Sequence, residues 1–272
     1  MASSDAPLRL ENVSVRFGAV TALDNVSLTL ERGETVILLG SAGSGKTVLL
    51  KTALALIHPT DGEVYLFGKA TSQLRESQLY ELRSRMGILF QEGGLFDSMT
   101  IEENVAYPLV NQKSLRCPRS DIQTRVEQAL QFVELGHTLA KVPSELSGGM
   151  RRRVGIARAV VTRPELVLYD SPTAGLDPIT ATTIMTLIAK ERDTRGTTTA
   201  LATHRFQDGH LLANYRYNAN TERLEAVPHG GDDLRTRFVV LGEGKIVFEG
   251  SQEQLEASTD PYISKFAKRL TE

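Results

Sequence analysis

Thr35-Val36-Ile37-Leu38-Leu39-Gly40-Ser41-Ala42-Gly43-Ser44-Gly45-Lys46-Thr47 is the stretch that decides the fold. Thr35–Leu39 is an apolar run of the kind carried by a strand buried on both faces. A glycine-rich turn follows, and Val48–Ile57 has helical character, so the turn joins a strand to a helix. Gly40, Gly45, Lys46 and Thr47 fill the four fixed positions of a P-loop in the context that motif requires. A chance turn would match them in a chain of this length on the order of one time in a hundred. Glycine is needed here because backbone N–H groups must converge on phosphate oxygens without side chains in the way. The positive end of the following helix adds to the attraction. The loop from Gly40 through Ser41, Ala42, Gly43, Ser44 and Gly45 is thereby expected to cradle phosphates. Lys46 is expected to reach the terminal ones, and the Thr47 hydroxyl to ligate Mg²⁺.

Outward from this loop, Leu8–Phe17 alternates as a strand, Val26–Leu30 reads as a second, and Glu63–Phe67 returns as another beyond Pro59 and Gly62. Residues from about Ser72 to Ser147 read as mostly helical, with breaks around Asn111–Ser120 and at Pro143. Leu166–Tyr169 and Thr198–Ala202 are two further short buried strands. Alternation of strands and helices predicts an α/β fold with a mainly parallel sheet covered on both sides. Phe238–Leu241 and Lys245–Phe248 predict a hairpin turning at Gly242-Glu243-Gly244. The polar stretch Asn214–Arg237, with its turn signal His229-Gly230-Gly231-Asp232, is either a solvated hairpin or a contact for an extra subunit. No internal repeat is visible, so each motif is present once.

Bulk properties narrow the class. The 272 residues carry 31 Lys plus Arg against 33 Asp plus Glu, a net charge of −2, which gives no support to a nucleic-acid partner. The single cysteine, Cys117, cannot form an internal disulfide and reads as an incidental thiol in a reducing compartment. Met1–Pro7 has no basic start followed by an apolar run, and no stretch reaches the roughly 18 apolar residues of a membrane span. The expectation is a cytoplasmic protein that meets a membrane only through a partner.

Two later motifs add to the P-loop. Leu146-Ser147-Gly148-Gly149-Met150 opens a second helix, with Ser147 and two glycine amides at an N-terminus suited to a phosphate. Leu166-Val167-Leu168-Tyr169-Asp170 is an apolar strand ending in a carboxylate suited to an Mg²⁺ shell. In this order they resemble the signature and the second acidic motif of the ATP-binding cassette family, and the resemblance spans about Leu8 to Gly250. It implies a P-loop NTPase (RecA-like) core with an antiparallel β-subdomain and an inserted α-helical subdomain at about 91–147. The tail 251–272 is expected to be a partner or dimer contact. In that family the signature serves ATP held by the other subunit, so one P-loop and one signature per chain imply a homodimer with two composite sites.

The resemblance also implies roles residue by residue. Phe17 is similar to the aromatic that stacks on adenine, with core packing as its alternative. Gln91 is similar to the glutamine that touches Mg²⁺ and senses the transport subunit. Asp177, in Gly175-Leu176-Asp177, is similar to the residue that speaks across the dimer, and His204 to the histidine on the γ-phosphate. Where the family places a glutamate that polarises the attacking water, this chain has Ser171. A neutral hydroxyl is a poor proton acceptor, so hydrolysis is expected to be slow unless Glu92, His204 or the γ-phosphate compensates. Ser171 is either native, giving a slow ATPase or an ATP-gated clamp, or an engineered trap.

Three stretches resemble the ATPase subunits of Mla-type phospholipid transporters: Gly45–Lys51, Phe90–Leu109, and Met150 together with Asp177-Pro178-Ile179-Thr180. Asp260–Phe266 resembles the end of that subunit. The implied partners are integral-membrane permease subunits and a periplasmic MCE-type lipid-binding protein, with the chain peripheral on the cytoplasmic face of the inner membrane. The alternatives are the ATPase of an importer for another small solute, or a soluble cassette protein working on ribosomes or DNA.

Overall fold

The structure, a computed structural model, describes residues 6–91, 93–112, 117–227 and 235–267. The predicted turn at His229–Asp232 lies outside the described residues, as do Glu92 and the last five residues of the tail.

Strands β1 (Leu8–Phe17), β2 (Val20–Leu30), β4 (Asp61–Leu66) and β5 (Lys69–Ala70) form an antiparallel sheet in the order β2-β1-β4-β5. Between β2 and β4 the chain makes β3 (Thr35–Leu39) and helix α1 (Lys46–Ala53). After α2 (Glu76–Arg83) and β6 (Met86–Leu89) comes a helical stretch, α3 (Ile101–Asn111), α4 (Arg119–Phe132) and α5 (Gly148–Val160). Then follow β7 (Leu166–Asp170), α6 (Pro178–Arg195), β8 (Thr198–Thr203) and α7 (Phe206–Asn214). The hairpin β9 (Tyr215–Asn218) and β10 (Arg223–Ala226) leads to β11 (Thr236–Gly242), β12 (Lys245–Gly250), α8 (Gln252–Glu256) and α9 (Ser264–Ala267). The second large sheet has the order β12-β11-β3-β8-β7-β6, with β11, β3, β8, β7 and β6 mutually parallel and β12 returning antiparallel.

Strands β3, β7 and β8 are buried at every residue. The reason lies in the period of two along each strand. Ile37, Leu39, Val167, Tyr169, Leu201, Phe238 and Val240 face one cluster, shared with α3 to α7. Val36, Leu38, Leu166, Leu168, Ala200, Ala202, Val239 and Leu241 face the other, shared with α1 and the antiparallel sheet. Both faces are covered, as parallel strands require.

Several expectations need correction. The mostly helical reading of Ser72–Ser147 missed β6, which pairs in parallel with β7 from Met86↔Leu166 to Leu89↔Tyr169. Gly87 belongs there because an added Cβ would stand 2.3 Å from the Ala159 carbonyl oxygen of α5. β2 starts at Val20 rather than Val26, since it pairs with β1 as far as Phe17↔Val20. Helix α1 runs Lys46–Ala53, not Val48–Ile57, and Ala55 at φ 52 turns the chain away from it. In Asn214–Arg237 the described residues do contain a hairpin, β9 with β10.

Candidate nucleotide site

The P-loop spans the gap between the C-terminal end of β3 and the first turn of α1. Gly45 precedes the helix at φ 104, where a Cβ would stand 2.6 Å from the Ala22 carbonyl oxygen, so glycine is required on both counts. No side chain caps α1. Its first amide groups are thus available to a ligand rather than to the protein. The loop opens on a cleft of ≈ 890 Å³ lined by Ser41, Ala42, Gly43, Gly45, Lys46, Thr47, Gln91, Ser171 and His204. Gly40 and Ser44 lie behind this wall: Gly40 O accepts from Lys46 Nζ at 2.8 Å, and Ser44 is buried beside it.

Lys46 is buried and its ammonium also donates to Ser41 O at 2.7 Å. Burial lowers its pKa, while the charge of Asp170 opposes the shift. Carbonyl oxygens are weaker partners for an ammonium than phosphate oxygens, so an anion in the cleft would draw the side chain off its own loop. Thr47 Oγ1 donates to Asp170 Oδ2 at 2.8 Å across the gap between α1 and β7. Ser171 Oγ donates to Asp170 Oδ1 at 3.2 Å. Among the described residues no cluster of three or more His, Cys, Asp or Glu forms a metal cage. Thr47, Asp170 and Gln91 instead offer a small set of oxygen donors, which fits Mg²⁺ that completes its shell with phosphates and water.

The remaining predicted residues fall elsewhere. Ser147 caps α5, its Oγ accepting from Met150 N at 3.2 Å. Gly148 lines a separate groove of ≈ 540 Å³ with Gln91, Arg151, Gly175 and Leu176, and Gly149 packs against Thr180 of α6. Asp177 caps α6, accepting from Ile179 N at 3.1 Å and Thr180 N at 3.0 Å. Hydrogen bonds from the Thr180 side chain and amide hold its carboxyl below the usual range. Ser147, Gly148, Gly149 and Asp177 do not line the P-loop cleft; Gln91 and Ala174 touch both depressions. Phe17 stands 53% exposed at the end of β1, paired with Val20, which does line the cleft.

Sequence reasoning missed two parts of the wall. Val20, Thr21 and Ala22 contribute because β2 begins earlier than expected. Tyr262, Lys265 and Phe266 contribute from the tail. The Tyr262 hydroxyl donates to Leu241 O at 2.9 Å and lies 3.2 Å from Ser41 Oγ, while its ring meets Phe266 edge-on at 5.3 Å. The i, i+3, i+4 spacing of 262, 265 and 266 was the available signal.

A further depression lies beside the helical layer. Asn104, fully buried, binds its own upstream loop, with Oδ1 accepting from Phe96 N at 2.8 Å and Nδ2 donating to Phe96 O at 3.0 Å. The Thr100–Glu103 capping box starts α3 beneath this loop. Phe96 and Tyr107 are thereby held 39% and 38% exposed with ring centroids 4.7 Å apart, on a groove of ≈ 350 Å³ that Phe90 and Arg158 also line. Arg158 donates to the carbonyls of Gly93 and Gly94, close in sequence to Gln91.

Sheet order, phosphate loop, acidic strand end and oxygen donors together define a P-loop nucleotide-binding protein. The comparisons narrow the class. Residues 23–174 match the family model described as ABC transporter. The intermembrane phospholipid transport system ATP-binding protein MlaF of Escherichia coli strain K12 is 34% identical over 257 residues, which is 94% of this chain and 87% of MlaF. The methionine import ATP-binding protein MetN of Bifidobacterium longum is 41% identical over 184 residues, 67% of this chain and 45% of MetN. Among solved structures, the dimeric post-hydrolysis state of the ATP-binding cassette MJ0796 bound to ADP and Pi matches with a TM-score of 0.73 at 30% identity, covering 90% of this chain and 98% of that one. The chain belongs to the ABC transporter family, as an ATPase whose hydrolysis of ATP is coupled to transport. Among the described residues no helix is long and apolar enough to cross a membrane.

Proposed function

We propose that two copies of this chain bind two Mg-ATP between them, close, and drive a permease that moves phospholipid between bacterial inner and outer membranes. The observation that carries the dimer is the separation within one chain of the P-loop cleft from the Ser147–Gly149 helix start. A second copy would bring Ser147, Gly148 and Gly149 to the terminal phosphate held by Lys46 and His204, with Asp177 at the seam. In this reading Phe17 stacks on the adenine at the outer edge of the cleft. Thr47, Gln91 and Asp170 hold Mg²⁺, which would neutralise charge on the phosphates. Residues 8–250 form the nucleotide-binding domain with its helical part at about 91–147, and the tail from 251 is a partner or dimer contact.

The lipid substrate rests on similarity to MlaF over 94% of the chain, whereas MetN matches 67%. An MCE-type lipid-binding protein across the membrane is the partner that goes with it, and the chain sits on the cytoplasmic face through the permease. A second reading, an ATP-gated clamp with little turnover, is favoured by Ser171, whose hydroxyl is already engaged by Asp170.

The groove at Phe96 and Tyr107 is the surface offered to the permease, since exposed aromatic pairs are unusual except at contacts. Phe96→Asp is expected to abolish co-purification with the membrane subunit while leaving Mg-ATP affinity of the isolated chain within about twofold. The full complex, reconstituted in vesicles, is expected to move fluorescent phospholipid only with Mg-ATP. No Mg-ATP-dependent phospholipid movement, or turnover stimulated by a water-soluble solute instead, would overturn the lipid reading. Transfer that requires ATP but shows no sustained phosphate release would favour the clamp.

A further inference from the structure

The last rung that joins β7 to β8 is Ser171 N donating to Ala202 O at 2.8 Å. Beyond it the chains part, one into the turn from Ser171 to Asp177, the other into His204 and α7. Ser171 and His204 line the same cleft from these two loops, and no ladder hydrogen bond sets the distance between them.

Asp208, in the first turn of α7, lies in the gap and is 2% exposed. Its Oδ2 accepts from Thr173 Oγ1 at 2.6 Å and from Thr203 Oγ1 at 2.7 Å. The donor at Thr203 is unambiguous, because Thr203 Oγ1 itself accepts from Arg205 N at 3.1 Å and has one hydrogen to give. Thr173 follows Ser171 by two residues, and Thr203 directly precedes His204. Both threonines are buried, so each hydroxyl depends on this carboxylate in place of water. The positive end of α7 and Arg205 Nε at 3.8 Å favour the ionised form. Burial pushes the Asp208 carboxyl up, against the two hydroxyls and the charges of Arg205 and His204. From the other side Arg152 of α5 donates to Ser171 O at 2.9 Å, Pro172 O at 2.6 Å and Ala174 O at 3.0 Å. The turn is thus gripped by the signature helix on one flank and by Asp208 on the other.

We propose that Asp208 is a positioning residue: through Thr173 and Thr203 it sets the spacing between the Ser171 turn and His204, the two walls that meet the terminal phosphate. The inference rests on the reading of the cleft given above. Its effect falls on the γ-phosphate, since the Asp208 carboxylate is bonded to Thr173 and Thr203, beside Ser171 and His204, rather than to the loop Gly40–Thr47 that holds the inner phosphates. A shift of a fraction of an ångström between two walls is enough to matter for a group that must fit both.

The test is equilibrium binding of Mg-ATP and Mg-ADP to the full chain. Asp208→Asn, Thr173→Val and Thr203→Val are each expected to weaken Mg-ATP about tenfold, the scale of one charge-assisted hydrogen bond. Mg-ADP affinity is expected to stay within about twofold, and Thr173→Ser and Thr203→Ser to bind Mg-ATP like the unsubstituted chain. Equal losses for both nucleotides, or no loss for either, would show a merely structural role and overturn the proposal. Should Asp208→Asn fail to fold, the Val and Ser pair at Thr203 decides alone. His204→Ala separates the two levels. If it leaves the ATP-to-ADP preference unchanged, the reading of the cleft is wrong. If it removes the preference while the Asp208 and threonine variants keep it, only the positioning role falls.

Discussion

A Ser171→Glu chain, assembled with its membrane subunits, is expected to hydrolyse ATP about a hundredfold faster than the unsubstituted complex, the scale of restored general-base assistance. The position is suitable for a longer acid. Ser171 lines the cleft beside Lys46, Thr47 and His204, and its backbone is fixed by the Ala202 carbonyl and the Arg152 guanidinium. Its φ of 49 is an unfavourable one for any L-residue, and serine already bears that cost. A hydroxyl that donates to Asp170 contributes no proton acceptor strong enough to polarise water. Steady-state phosphate release by the two complexes reads the difference. Equal rates would mean that another group already activates the water and that Ser171 is a full substitute.

Lys46→Ala is expected to weaken Mg-ATP binding by about 30- to 700-fold and to abolish turnover. The estimate follows from the roughly 2–4 kcal/mol lost when one partner of a desolvated, charge-assisted pair is removed, converted at 1.4 kcal/mol per tenfold. The ammonium is poised for transfer, held by two carbonyls of its own loop at 2.8 Å and 2.7 Å in a place where burial disfavours its charge. Calorimetric titration with Mg-ATP measures the loss directly. Binding within threefold of the unsubstituted chain would remove Lys46 from the phosphate site.

What was legible in the sequence shares a physical signature. Thr35–Leu39, Leu166–Asp170 and Thr198–Thr203 are central strands, short and buried on both faces, so their composition alone announces them. The P-loop is equally plain because its glycines answer to local backbone geometry. Met86–Leu89 was not legible: four residues following a helix carry too little pattern, and the reason for Gly87 is a carbonyl of α5 some seventy positions away. The same holds at the cleft. Lys46, Thr47, Asp170, Gln91, Ser171 and His204 belong to motifs, and the fold brings them together. Tyr262, Lys265 and Phe266 join them only because β11 and β12 return the chain to the P-loop, and Asp208 acquires partners only where β7 and β8 diverge.

A second copy is expected to complete the nucleotide site. Sedimentation of the full chain with Mg-ATP, with Mg-ADP and as a Ser147→Arg variant tests it most directly. The expected result is a dimer with Mg-ATP, a monomer with Mg-ADP, and a Ser147→Arg chain that binds Mg-ATP yet remains monomeric. A Ser147→Arg chain that dimerises on Mg-ATP as well as the unsubstituted one, or no dimer with Mg-ATP at all, would contradict it.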